Sequence, residues 1–167
     1  MISSAYKIAL TAHNGQTRRD GVTPYIYHPV RVMKRLIPSH RDDIGVESDV
    51  YSYSCEVALL HDVLEDTDTT AQEILSLGIS PFVVECVEVL TKRRGEDYFD
   101  FIKRILKHPS KIPTQVKLAD IIDNLSDNPS KKQASKYAGA LQLMLSKEIL
   151  FDTDFESEYY CDDENEM

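Results

Sequence analysis

Apolar residues recur every three to four positions along most of this chain, the spacing of helices packed around a shared core. The pattern predicts a first helix over residues 2–13, stopped near Gly15. After the turn-rich NGQTRRDGVTP, Pro24 opens a second helix that carries His28 and runs through PVRVMKRL to about Ile37. Pro29 lies early in that segment, so the helix could also begin at His28 or Pro29, where proline suits a first turn. The loop PSHRDDIGVESD leads to a third helix over 49–65, and a fourth, short one follows Thr69–Thr70, where TAQE has capping-box spacing. Ser80-Pro81 starts a fifth through FVVECVEVLTK, although its β-branched content would also fit a strand. Residues 97–107, 110–126 and 130–150 complete the series. No run of alternating strands competes, so the expected fold class is all-α, a single bundle of about seven to eight helices.

Length changes little in that picture: 167 residues make one substantial core. The apolar runs are too short to span a bilayer, and the N-terminus reads as a helix instead of a signal peptide. Cys55, Cys86 and Cys161 are odd in number and contain no CxxC pair, which points away from disulfides and zinc thiolates and toward the cytoplasm. Charge changes more. Eight of the acidic residues fall in the last sixteen positions, where no Lys or Arg balances them. Remove those eight negative charges from the net −9 and residues 1–151 carry −1. The chain therefore divides into a near-neutral domain over 1–150 and an acidic, partly disordered tail over 151–167. A broad basic face for long nucleic acids is missing from the sequence, while a local cationic pocket for a small phosphorylated ligand remains open.

The candidate chemistry lies where polar groups intrude on apolar segments. At about 100° per residue, His61, Glu65, Asp62 and Asp66 of LLHDVLED sweep one contiguous helical face, with Leu60, Val63 and Leu64 opposite. A plain amphipathic helix does the same. Here, however, adjacent His and Asp close a strongly apolar stretch, where buried carboxylates need partners or a cation. His28 interrupts YIYHPVRVM and Asp120 interrupts QVKLADIIDNL in the same way. Each alone reads as a satisfied core residue. Together, two histidines and two aspartates make a mixed nitrogen and oxygen set suited to manganese, iron or zinc. Of the remaining acids in the cluster, Asp68 is expected at the approach to the fourth helix and Glu56 on the outer surface.

The order AHNGQTRRDG, PYIYHP, LLHDVLEDT, VLTK and VKLADIIDNL resembles the HD-domain metal phosphohydrolases, and more narrowly the hydrolase domain of RelA/SpoT stringent-response proteins and its small stand-alone relatives. The likeness covers residues 5–127. It implies an HD-domain helical bundle with Mn2+ (or Fe, Zn or Co) on His28, His61, Asp62 and Asp120, and Glu65 and Asp66 as the acidic pair that orients and deprotonates the attacking water. It also implies Arg18 against the guanine base, Asn124 shaping the substrate site and Tyr98 as a pocket wall; Lys117, one helical turn before Asp120, could reach a phosphate. The implied reaction is hydrolysis of (p)ppGpp at its 3′-pyrophosphate, giving GDP or GTP and pyrophosphate, with no room in 167 residues for a synthetase domain.

The chain departs from the pattern in two places. DGVTPY has one residue more than usual between glycine and proline, which shifts Arg18 relative to His28, and Ile121-Ile122-Asp123 stands where Arg-Leu-His is common, so that Asp123 adds a negative charge near any phosphate. Two other readings stay open. The same site could act on a nucleoside monophosphate, dNTP, cyclic nucleotide or NADPH, or the fold could serve as a non-catalytic alarmone-binding or interaction module. The KRRG segment at 92–95 could meet phosphates, but reads more simply as a basic last helical turn capped by glycine. Oligomeric state is left open.

Overall fold

The computed structural model describes residues 2–36 and 48–151. Ile37, most of the loop after it, Cys161 and the acidic tail lie outside the described residues. Nine helices run through the rest: α1 (Ile2–Ala12), α2 (Tyr27–Leu36), α3 (Ser48–Leu60), α4 (Val63–Asp66), α5 (Ala71–Ser76), α6 (Pro81–Leu90), α7 (Tyr98–Leu106), α8 (Ile112–Ser126) and α9 (Lys131–Phe151). No strand occurs among the described residues, and the isolated antiparallel bridge recorded there joins Thr17 to Pro24. No described helix is long and apolar enough to cross a membrane.

Local chemistry explains most boundaries. Pro24 does not open α2, because the bridge to Thr17 and the bond from Tyr25 N to Gln16 O hold that segment extended. The regular helix begins at Tyr27, with Pro29 in its first turn. The Thr70–Glu73 capping box forms in full at the start of α5. The β-branched segment after Pro81 is a helix, and Val83, Val84, Val87 and Leu90 are buried at helical spacing. It ends at Leu90, where Thr91 turns extended and donates its hydroxyl to Val87 O. KRRG is therefore a connecting turn and not a basic last helical turn. Lys92 N is taken by Glu65 Oε2 at 2.9 Å, and Gly95 adopts φ +79°, which glycine accommodates without strain.

The expected third helix breaks in two. Residues 61–62 form a turn between α3 and α4, with Asp62 at φ −101° and ψ −6°. The four polar groups of LLHDVLED consequently do not share one straight helical face. Instead the turn tips His61 and Asp62 inward.

α3 and α8 occupy the centre. α3 packs on α1, α2, α6 and α8, and α8 packs on α2, α3, α6, α7 and α9. Enclosure on all sides explains why Cys55 through Leu60 are consecutively buried. Glu56 falls inside that run, fully buried instead of on the outer surface. Ser52 donates to its Oε1 at 3.2 Å, while Oε2 has no partner among the described residues. Leu59, Leu60, Phe101, Ile102, Ile105 and Ile121 are almost wholly enclosed. Each such side chain contributes about 1.5–3 kcal/mol through burial. This rigid centre is what presents the polar cluster at one end of α3.

Candidate active site

Three elements converge on one point. The first turn of α2 supplies His28, the α3–α4 turn supplies His61 and Asp62, and α8 supplies Lys117, Asp120, Asp123 and Asn124. Positions three and four apart on α8 share a face; Asp120 and Asp123 meet the other elements, while Lys117 and Asn124 flank Asp120 and bond to it. Ligand atoms of His28, His61 and Asp62 lie within 4.8 Å of one another. Asp120 Oδ1 stands 3.1 Å from His28 Nε2 and 3.7 Å from His61 Nε2. Both imidazoles thus turn Nε2 toward the same carboxylates, and each Nδ1 is occupied behind. His28 Nδ1 lies 2.8 Å from Asp123 Oδ2, and His61 Nδ1 lies 2.8 Å from Ala58 O.

The charges here are strongly coupled. Burial alone would lower the imidazole pKa values, but the surrounding carboxylates outweigh it and raise His28 to about 9 and His61 to about 10. For Asp62 and Asp120 burial acts upward, and the neighbouring cationic groups overcome it, holding both well below the usual carboxylate range. Lys117 reaches Asp120 Oδ2 at 2.8 Å; that charge overcomes burial and keeps the ammonium protonated.

A cavity of about 390 Å³ opens onto this cluster. Nine of the ten sequence-predicted residues line it: His28, Asp62, Asp120, Glu65, Asp66, Arg18, Lys117, Asn124 and Tyr98. His61 sits behind them, 2% exposed. Glu65 and Asp66 are exposed at the α4 side, and the Tyr25 hydroxyl lies 2.6 Å from Asp62 Oδ2 and 3.1 Å from Asp66 Oδ2. The longer DGVTPY loop is absorbed into a tight turn, in which Asp20 accepts from the Val22 and Thr23 amides and the Thr23 hydroxyl. Arg18 is thereby held with its edge on Asp127 and Asn124 and its guanidinium over the Tyr25 ring at 5.4 Å.

Comparison with known proteins places these features. No family model matches the chain. It is 34% identical over 132 residues to the guanosine-3′,5′-bis(diphosphate) 3′-pyrophosphohydrolase of Aquifex aeolicus, covering 74% of this chain and 17% of that protein. The Vibrio cholerae protein of the same name is 32% identical over 145 residues, covering 79% and 19%. The GTP pyrophosphokinase rsh of Brucella ovis is 36% identical over 97 residues, covering 58% and 12%. The chain thus spans less than a fifth of the length of these relatives. A solved metazoan ortholog of SpoT, described as hydrolysing ppGpp and acting in starvation responses, shares the fold with a TM-score of 0.66. That match is 24% identical and covers 92% of this chain and 95% of the other. The chain carries an HD domain of the RelA/SpoT type.

The donor set of this HD domain fits a divalent ion. His61 Nε2 is buried without a hydrogen bond, with Asp62 Oδ2 3.1 Å away. An orphaned imidazole nitrogen facing two ionised carboxylates is what a cation would satisfy. The structure also adds cavity residues that periodicity did not single out: Tyr25, Arg19, Lys92, Lys136 and Tyr137. Lys136 lies over the rings of Tyr98 and Tyr137 at 4.5 and 4.9 Å. Burial, and then the charge of Lys117, pulls its pKa down. Nothing in α9's local sequence distinguishes Lys136 from a solvated lysine, because the partner rings come from α7 as well as α9. Asp123, which looked like an unfavourable charge near phosphate, is 1% exposed and turned away toward α2.

Proposed function

We propose that this HD domain is a Mn2+-dependent hydrolase of (p)ppGpp, cleaving the 3′-pyrophosphate to give GDP or GTP and pyrophosphate. The observation that carries the reading is the convergence of two imidazoles and two carboxylates on one point at the floor of a cation-lined cavity. His28, His61, Asp62 and Asp120 would hold the ion. When bound, it would supply Lewis acidity and ease the deprotonation of water.

The protein's own groups account for the rest. Glu65 and Asp66 stand on the open side, where a carboxylate can take the proton as water oxygen bonds to the 3′-linked phosphorus. The bond from that phosphorus to the ribose 3′ oxygen breaks, the oxygen takes up a proton, and pyrophosphate departs. Lys92, Lys117, Lys136 and Arg19 line the cavity as phosphate partners, which suits a small nucleotide better than a long nucleic acid. Arg18, pinned by its edge, offers a planar face to a base, with Tyr98 as a wall and Asn124 fixing both Arg18 and Asp120. A reducing cytoplasm suits the buried free thiols of Cys55 and Cys86.

The test is a Mn2+-supplemented panel of ppGpp, nucleoside monophosphates, dNTPs, cyclic nucleotides and NADPH, with products identified. Pyrophosphate release from ppGpp at the highest kcat/KM is expected. Faster turnover of another nucleotide sinks the substrate assignment. An Asp62→Ala variant that keeps both bound metal and activity sinks the ligand assignment.

A further inference from the structure

The two imidazoles of the cluster are backed differently. His61 Nδ1 rests on a neutral backbone carbonyl, that of Ala58 at 2.8 Å. His28 Nδ1 faces a carboxylate, Asp123 Oδ2, also at 2.8 Å. That carboxylate is held in turn. Arg31 reaches Asp123 with Nε at 2.9 Å from Oδ1 and Nη2 at 2.9 Å from Oδ2. Arg35 Nη2 lies 3.2 Å from Oδ1, and the same nitrogen donates to Ser126 Oγ at 3.0 Å. His28, Arg31 and Arg35 lie three, then four residues apart on α2, so one face of that helix grips one buried residue of α8.

We propose that Asp123 is a positioning residue for metal binding: it fixes His28 with the proton on Nδ1 so that Nε2 presents its lone pair to the ion. This rests on the metal site proposed above. A ligating histidine whose other ring nitrogen donates to a carboxylate is oriented and made a better donor, and losing such a partner weakens metal binding about 10–100-fold. The charge of Asp123 is shared among three donors, so the carboxylate stays anchored while it polarises His28. It lies on the far side of the imidazole from Asp62 and Asp120, which contact Nε2. Asp123 therefore acts through His28 and not on substrate. The aspartate at the position where histidine is common in the resembling pattern thus takes a role in the metal site instead of opposing phosphate.

The experiment measures Mn2+ affinity by calorimetry on the metal-free full chain, for wild type, Asp123→Asn and Asp123→Ala, at a temperature where circular dichroism shows each folded. Asparagine keeps a neutral acceptor and alanine keeps none. The expected order is wild type, then Asn, then Ala, with Ala weaker by at least tenfold. A purely structural role would lower the melting temperature of the metal-free variants and leave the affinity of folded molecules unchanged. Affinity of folded Asp123→Ala within threefold of wild type overturns the proposal. Nitrogen NMR of the Zn2+-loaded wild type gives a second reading that needs no variant. His28 should carry its proton on Nδ1, and a proton on Nε2 overturns the proposal. A wild-type chain that takes up neither ion refutes the metal site itself, and this inference with it.

Discussion

Stripping divalent ions from this protein should reverse the pH dependence of its stability. In the metal-free fold the carboxylates of Asp62, Asp120 and Asp123 raise His28 to about 9 and those of Asp62 and Asp120 raise His61 to about 10, against 6.5 for a free imidazole. The folded state therefore binds more protons than the unfolded chain between those values. The resulting stabilisation is fully present below pH 6.5 and is lost as pH rises through 9 to 10. His28 alone, from 6.5 to about 9, corresponds to about 3 kcal/mol at 1.36 kcal/mol per pH unit. At about 2–4 °C per kcal/mol for a chain of this size, the melting temperature should fall by about 6–12 °C. At the acid end the sign is opposite. Asp62 and Asp120 are depressed, so their contribution is present above about pH 4 and is lost as pH falls through their lowered values. Metal binding requires neutral imidazoles and releases protons, so its stabilisation grows with pH, reaching about 2.7 kcal/mol at a hundredfold excess over Kd. Thermal melts from pH 5.5 to 9 in chelator and in Mn2+ should diverge, the chelated protein falling and the loaded one holding or rising. A chelated protein whose melting temperature stays flat or climbs across that range refutes the coupling described here.

Two further outcomes follow from the same geometry. Glu65→Gln and Asp66→Asn leave the four proposed ligands in place, so each should lower kcat by about 10²-fold or more with Mn2+ still bound, checked by steady-state kinetics beside elemental analysis. Phe101 is 1% exposed and lies beneath Lys117, whose ammonium is 5.1 Å from the ring centroid. Phe101→Ala should cost about 3–5 kcal/mol in urea unfolding, and a loss below 1 kcal/mol would contradict the enclosure of Phe101 in the core.

The sequence by itself determined the helices, and it did so where the forces are local. The capping box at Thr70–Glu73, the proline start at Pro81 and the three-to-four-residue spacing through α8 act between near neighbours, so they are legible without a fold. It also marked the polar intrusions His28, His61, Asp62 and Asp120, because an ionisable group in an apolar segment must find a partner wherever the chain goes. Tertiary structure decided what those groups meet. It broke the third helix at His61–Asp62, carried the KRRG segment off the end of α6, and enclosed Glu56, which was expected on the outer surface. It also turned Asp123 from a stray negative charge into the carboxylate behind His28, a contact spanning 95 positions that no window of the sequence contains. Burial and electrostatic partners depend on distance in space, and α2 and α8, far apart along the chain, become neighbours only by packing directly on each other in the folded protein.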